Sequence, residues 1–190
     1  MHRVIVIEFL TLDGVMHDPD GGEGSPRGGW AFRFGPQAVA GDKFRLGEIL
    51  DTGALVLGRR TWERFSRLWP TRDDPFSMQM NRIPKLVASR SLTDAGAWSN
   101  STVLEGELVD EVTRRRADQD LVVIGSASVI RALREHDLID EYRLIVFPTV
   151  LGEGDRLFEE GTVPVGLQLE QAEPVDQAVF LVYRRTPATG

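Results

Sequence analysis

Residues 122–158 read VVIGSASVIRALREHDLIDEYRLIVFPTVLGEGDRLF, and two changes of period inside them set the expected fold. The stretch enters on a continuous apolar run at residues 121–124, as a strand covered on both faces requires. Gly125-Ser126 ends that run and opens a helical stripe with Val129, Ile130 and Leu133 on one side. Residues 142–147 return to strand. No helical pattern follows; residues 167–172 and 179–184 read as further strands, predicted as antiparallel additions at one edge.

Working outward, the upstream chain alternates strand and helix. Residues 4–9 form an apolar strand interrupted only by Glu8, and residues 54–57 form another that runs into Gly58-Arg59-Arg60-Thr61-Trp62. A short helix over 61–67 stops before Pro70. Strands are predicted at 85–89, after Pro84, and weakly at 102–104, with a helix at 107–116 carrying Leu108, Val109 and Val112 inward. Residues 37–50 place Val39, Phe44, Leu46, Ile49 and Leu50 in an imperfect helical stripe. The strand–helix–strand rhythm implies a largely parallel sheet with crossovers, hence an α/β fold in one domain over residues 1–185, with 186–190 a loose tail. Residues 13–36 (including HDPDGGEGSPRGGW) make a long Gly- and Pro-rich loop. Trp30, Phe32 and Phe34 favour reading it as a lid over a site, the alternative being a disordered insertion.

The chain has 190 residues, 42% hydrophobic and 27% charged, which suits one ordinary globular domain. A net charge of −7 argues against general nucleic-acid or anionic-membrane binding, though not against a phosphate-bearing small molecule. The absence of cysteine removes disulfides, thiolate nucleophiles and Cys-based metal sites, and is compatible with a reducing cytoplasm. The N-terminal apolar run is too short for a membrane span and lacks a signal-peptide pattern.

Three predicted strand ends carry small or basic residues followed by a turn or helix: Gly58-Arg59-Arg60-Thr61, Ser89-Arg90, and Gly125-Ser126-Ala127-Ser128 after Ile124. Ligands of open α/β sheets sit beyond such carboxyl ends. Helix N-termini there offer free amides and a positive dipole end to phosphate. Taken singly, each glycine also reads as a turn and Ser126 as a helix cap. Together, with arginines near 59–60 and at 90, they suit a dinucleotide with an extra phosphate, hence NADPH rather than NADH. No GxGxxG fingerprint is present.

LVLGRRTWERF (residues 55–65) resembles the strand–turn–helix signature of dihydrofolate reductases, and PKLVASRSL (84–92) is similar to the segment that follows it there. The 122–158 stretch resembles the reductase domain of bifunctional riboflavin-biosynthesis enzymes, the RibD C-terminal family, as does TLDGVM (11–16). The resemblance implies a dihydrofolate-reductase-like three-layer fold. Its sheet would have about eight strands, mostly parallel with antiparallel edge strands, and helices on both faces. It also implies NADPH as hydride donor and a pterin- or aminopyrimidine-like substrate. It puts Arg59, Arg60, Thr61, Ser89 and Arg90 near the adenosine phosphates, Gly125, Ser126, Ala127 and Ser128 at the pyrophosphate, and Leu12, Asp13 and Gly14 beside the nicotinamide. Dihydrofolate reductases have Gly-Gly where this chain has Gly125-Ser126, which leaves a cis bond there open.

Hydride transfer belongs to the cofactor; the protein orients the partners and supplies a proton. Asp42, on the expected 37–50 helix, falls where the resemblance puts a catalytic acid; the rival reading is a surface carboxylate of that helix. Glu8, a charge on a buried strand, and Trp30 in the lid are candidate substrate contacts. The histidines, at 2, 17 and 136, are scattered and suggest no metal site. Arg27 and Arg33 are the spare cations for a substrate phosphate. The expected activity is therefore an NADPH-dependent reductase of a small heterocycle, cytoplasmic and homodimeric, the family's default being a 5-amino-6-(5-phosphoribosylamino)uracil reductase. The alternatives are an NADP(H)-binding sensor without turnover and a dimeric scaffold built on the FPTVLGEG edge.

Overall fold

In the computed structural model, which describes residues 2–186, eight strands form one sheet in the order β4-β3-β2-β5-β1-β6-β8-β7. The strands are β1 (Val4–Thr11), β2 (Ala54–Gly58), β3 (Lys85–Ala88), β4 (Ser101–Val103), β5 (Leu121–Val123), β6 (Glu141–Phe147), β7 (Leu167–Val175) and β8 (Ala178–Arg185). The helices are α1 (Ile49–Thr52), α2 (Arg59–Leu68), α3 (Pro75–Arg82), α4 (Leu108–Arg115) and α5 (Ala127–Glu135). β1, β2, β3, β4 and β5 pair in parallel, while β6–β8 and β8–β7 are antiparallel, matching the mostly parallel sheet with an antiparallel edge expected above. The expected tail at 186–190 lies, beyond Thr186, outside the described residues.

Packing groups the chain into two compact units. The first comprises residues 1–6 and 45–139, the second residues 7–44 and 140–190.

In the first unit every residue of β2 and β5 is buried, because crossover helices leave a parallel strand no solvated face. α5 buries Val129, Ile130 and Leu133, and α4 buries Val112. α3 answers to a start signal rather than to periodicity: the Asp74 carboxylate accepts from the Ser77 amide at 3.1 Å, and Pro75 sits at the first helical position. Lys85, wholly buried, donates from Nζ to the carbonyls of Asn81 (2.6 Å) and Ser99 (2.9 Å), and lies 4.3 Å from the Trp98 ring centroid. Burial pushes its pKa down to about 8.

The second unit holds the antiparallel β6–β8–β7 ribbon and the irregular segment 12–44. β8 alternates buried and exposed positions near its start, whereas edge strand β7 is largely exposed. One expectation changes here. The helix predicted over 37–50 is absent, and only the four residues of α1 are helical. Gly41, Arg45 and Gly47 take positive φ (56°, 55° and 54°), which breaks any helix through them. Phe44, Leu46, Ile49 and Leu50 are nonetheless buried, so the apolar stripe is real but is produced by turns.

The loop at 13–36 is no loose insertion. Trp30 is wholly buried, donates from its indole nitrogen to the His17 carbonyl (3.0 Å) and stands edge-on to Phe147 at 5.6 Å. No helix among the described residues is long and apolar enough to cross a membrane.

Candidate functional site

Parallel pairing brings the carboxyl ends of β2, β3 and β5 to one edge of the first unit, with Gly58 opposite Ala88. Two of those ends touch. The Gly58 amide lies 3.4 Å from the Gly125 carbonyl, and a side-chain carbon on Gly58 would sit 3.0 Å from Ser126 Cβ and 3.2 Å from the Ser126 nitrogen. A side chain at position 58 would therefore press on Ser126. Gly125 has φ 52°, and the Gly125–Ser126 peptide is cis.

Immediately beyond, α2 and α5 begin without a side-chain cap. The Ser126 hydroxyl pairs with that of Ser128 at 3.0 Å, and the Ser126 carbonyl accepts from the amides of Val129 (3.0 Å) and Ile130 (3.2 Å). Arg59, exposed, donates from Nη1 to the Ser91 hydroxyl at 2.7 Å and lies 3.7 Å from Glu63. The Ser89 hydroxyl accepts from the amides of Ser91 and Leu92 at 3.2 and 2.9 Å, so it shapes the turn after β3 rather than pointing out of it. Arg60 and Arg90 are exposed.

The predicted phosphate residues Gly58, Arg59, Ser89, Gly125, Ser126 and Ser128 thus fall together, on uncapped helix ends where backbone approaches backbone. Such a place can hold a phosphate or pyrophosphate through amides, hydroxyls and guanidinium groups, so the residues present fit a dinucleotide. Ile124 and Thr61 are half-buried flanks; Ile124 donates to the Val56 carbonyl at 3.3 Å.

The residues expected in the second unit behave differently. Asp13 turns onto its own loop. Its carboxylate accepts from the Thr11 hydroxyl (2.6 Å), the amides of Leu151 (3.2 Å) and Gly152 (2.8 Å), and Arg156 Nη2 (3.3 Å). The Thr11 hydroxyl, with those amides, holds the carboxyl down to a pKa of about 2, against desolvation by burial, which raises it. Leu12 is 66% exposed, and Gly14, at φ 77°, makes the turn between them.

Asp42 loses the helix on which its catalytic assignment depended and lies in the turn-rich stretch. Trp30 is core, because its ring and its only donor are both spent inside the loop. Glu8 is buried on β1 and engaged within the protein. Among the described residues no group of three or more His, Asp or Glu could hold a metal ion.

The sequence reading missed Ser91 as the partner of Arg59, and it missed the clasp of Arg156 onto Asp13. Ser91 had a signal, since it follows Ser89-Arg90 directly at a strand end. Arg156 had none, lying 143 residues from its partner.

The sheet order, the two uncapped helix ends and the glycine contact define a dihydrofolate-reductase-like α/β protein. The profile of the RibD C-terminal domain matches residues 2–181, and the chain belongs to that family. Among its relatives in Bacillus subtilis (strain 168), the uncharacterized protein YwjB is 33% identical over 187 residues, spanning 96% of this chain and 98% of the relative. The uncharacterized protein YyaP is 26% identical over 135 residues, 67% of this chain and 71% of its own.

Among solved structures, a putative riboflavin biosynthesis protein from Shewanella sp. PV-4 superposes with a TM-score of 0.74 at 25% identity, over 97% of this chain and 99% of its own. A diaminohydroxyphosphoribosylaminopyrimidine deaminase/5-amino-6-(5-phosphoribosylamino)uracil reductase from Thermotoga maritima shares the fold, with a TM-score of 0.60 at 15% identity. That match covers 97% of this chain but 57% of the longer enzyme.

Proposed function

We propose that the chain is an NADPH-dependent reductase of a small heterocycle. Family membership and the similarity to a riboflavin biosynthesis protein support a reductase-type activity. The observation that carries the cofactor part is the contact of Gly58 with Gly125-Ser126 at two uncapped helix ends, with Arg59 beside it. Helix-end amides are built for phosphate, and a guanidinium recognises a terminal phosphate by its forked donors.

In this reading the α5 amides with Ser126 and Ser128 hold the pyrophosphate. Arg59, Arg60 and Arg90 hold the phosphate that distinguishes NADPH from NADH. NADPH held there would supply hydride for the carbon of a C=N or C=O bond, whose heteroatom would need a proton. No step is assigned to Asp42, whose helix is absent. The reading carries with it a cytoplasmic homodimer, with the exposed β7 edge available for pairing.

The test is a calorimetric titration with NADPH and NADH. NADPH binds at least tenfold tighter, Arg59→Ala closes most of that gap, and Gly58→Val removes binding of both. Equal binding of the two dinucleotides would sink the arginine assignment. Absence of both would sink the reductase. Tight NADPH binding with no oxidation across a heterocycle and carbonyl panel would favour a sensor without turnover.

A further inference from the structure

Of the three arginines proposed for the terminal phosphate, one stands apart. Arg60 and Arg90 are exposed and make no hydrogen bond or ion pair among the described residues. Arg59 is held twice. Its Nη1 donates to the Ser91 hydroxyl at 2.7 Å, and its Nε lies 3.7 Å from Glu63 Oε1, one turn further along α2. Its Nη2 makes no hydrogen bond among the described residues and remains available to a ligand.

The bond to Ser91 is a product of the fold. β2 and β3 are parallel neighbours with Gly58 opposite Ala88, so the first residue of α2 and the turn after β3 leave the sheet side by side. The Ser89 hydroxyl, accepting from the amides of Ser91 and Leu92 at 3.2 and 2.9 Å, folds that turn and sets where Ser91 stands. All of these residues belong to the first unit.

An arginine fixed only on binding gives up its rotamer freedom at that moment, and the loss subtracts from affinity. The bond to Ser91 has already fixed Arg59. Because the hydroxyl is neutral, it orients the guanidinium without cancelling its charge. Glu63 acts in the opposite sense. The two side chains are 45% and 41% exposed, so their ion pair contributes little to stability, yet the carboxylate repels a phosphate approaching the same guanidinium. A hydroxyl and a carboxylate thus pull the choice of dinucleotide in opposite directions through one side chain.

We infer that Ser91 is a positioning residue that sets the preference for the phosphorylated dinucleotide by holding the Arg59 guanidinium beyond the ends of β2 and β3, with Glu63 as its counterweight. The inference rests on the reading of Arg59 as a phosphate ligand given above.

Calorimetry on the full chain compares NADPH with NADH. Ser91→Ala is expected to weaken NADPH by about threefold or more, the worth of one hydrogen bond to a charged group, and to leave NADH unchanged. Ser91→Thr, which keeps the hydroxyl, restores NADPH. In an Arg59→Ala background Ser91→Ala has no further effect, because Ser91 acts only through the guanidinium. Glu63→Gln tightens NADPH by about twofold and leaves NADH unchanged. A parent chain that binds neither dinucleotide, or both equally, would overturn the reading of Arg59 itself. With the parent preference intact, three results would each overturn the inference alone. They are no loss of NADPH affinity in Ser91→Ala, an equal loss for both dinucleotides, and a loss that persists without Arg59. Weaker NADPH binding in Glu63→Gln would overturn the counterweight.

Discussion

The two units are held together by different means. In the first, the ladder of a buried parallel sheet carries the structure, and the positions proposed for a phosphate lie where β2 and β5 stop. In the second, long irregular segments are pinned by single carboxylates that each gather two backbone amides. Asp13 accepts from Leu151 and Gly152, Asp18 from Glu23 and Ser25 at 2.9 Å each, and Asp176 from Gln37 at 2.7 Å and Ala38 at 3.3 Å. A ladder distributes its stability over many bonds, whereas a clasp concentrates it in one side chain. The second unit should therefore be the more fragile to point substitution.

The largest test of that contrast is Trp30→Ala. It removes the plug of the 13–36 loop and its contact with Phe147, and should cost about 3–5 kcal/mol, read by denaturant titration. A loss below about 1 kcal/mol would mean the loop is held elsewhere. Next comes Asp18→Asn. Asp18 is 1% exposed, and an amide nitrogen in place of one oxygen would face a backbone donor, so about 1–3 kcal/mol should be lost. Hydrogen exchange at Glu23 and Ser25 should rise with it; unchanged protection there would break the clasp argument.

The smallest effect is in acid. Because the folded pKa of Asp13 lies near 2, below its unfolded value, its contribution to stability is fully present above about pH 4 and disappears as pH falls toward 2. Asp13→Asn should flatten the stability profile in that window and leave its shape above pH 5 unchanged. A profile identical to the parent would show that the loop does not depend on the charge.

How far the sequence could be read follows the same division. Residues 54–58 and 121–126 declared themselves because a doubly covered strand must be a continuous apolar run, and the glycine that ends it is a local signal. The strand ends that the proposal gives to a phosphate were legible for the same reason.

Residues 37–50 misled because burial with irregular spacing looks like a helical stripe when left-handed residues at 41, 45 and 47 go unnoticed; at Arg45 nothing in the residue type announces a φ of 55°. α3 went unseen although Asp74 and Pro75 mark its start, because only Ser77 and Met80 of its eight residues are buried and the apolar period is faint. Asp13 was placed beside the nicotinamide by the resemblance of residues 11–16 alone. Thr11 is two residues away, but its other partners are 138, 139 and 143 residues away.

The distribution of tryptophan gives the molecule a built-in optical address. Of its four indoles, Trp62, Trp69 and Trp98 lie in the first unit and Trp30 alone in the second, all with at most 9% of their surface exposed. Water reaching a buried indole shifts its emission to the red, so a Trp30→Phe chain reports melting of the first unit only. A chain keeping Trp30 and replacing the other three with phenylalanine reports melting of the second. Trp98 adds a second channel, since an ammonium 4.3 Å from its ring perturbs its emission while Lys85 is protonated. Its brightness should change as pH is raised through about 8, with the protein still folded.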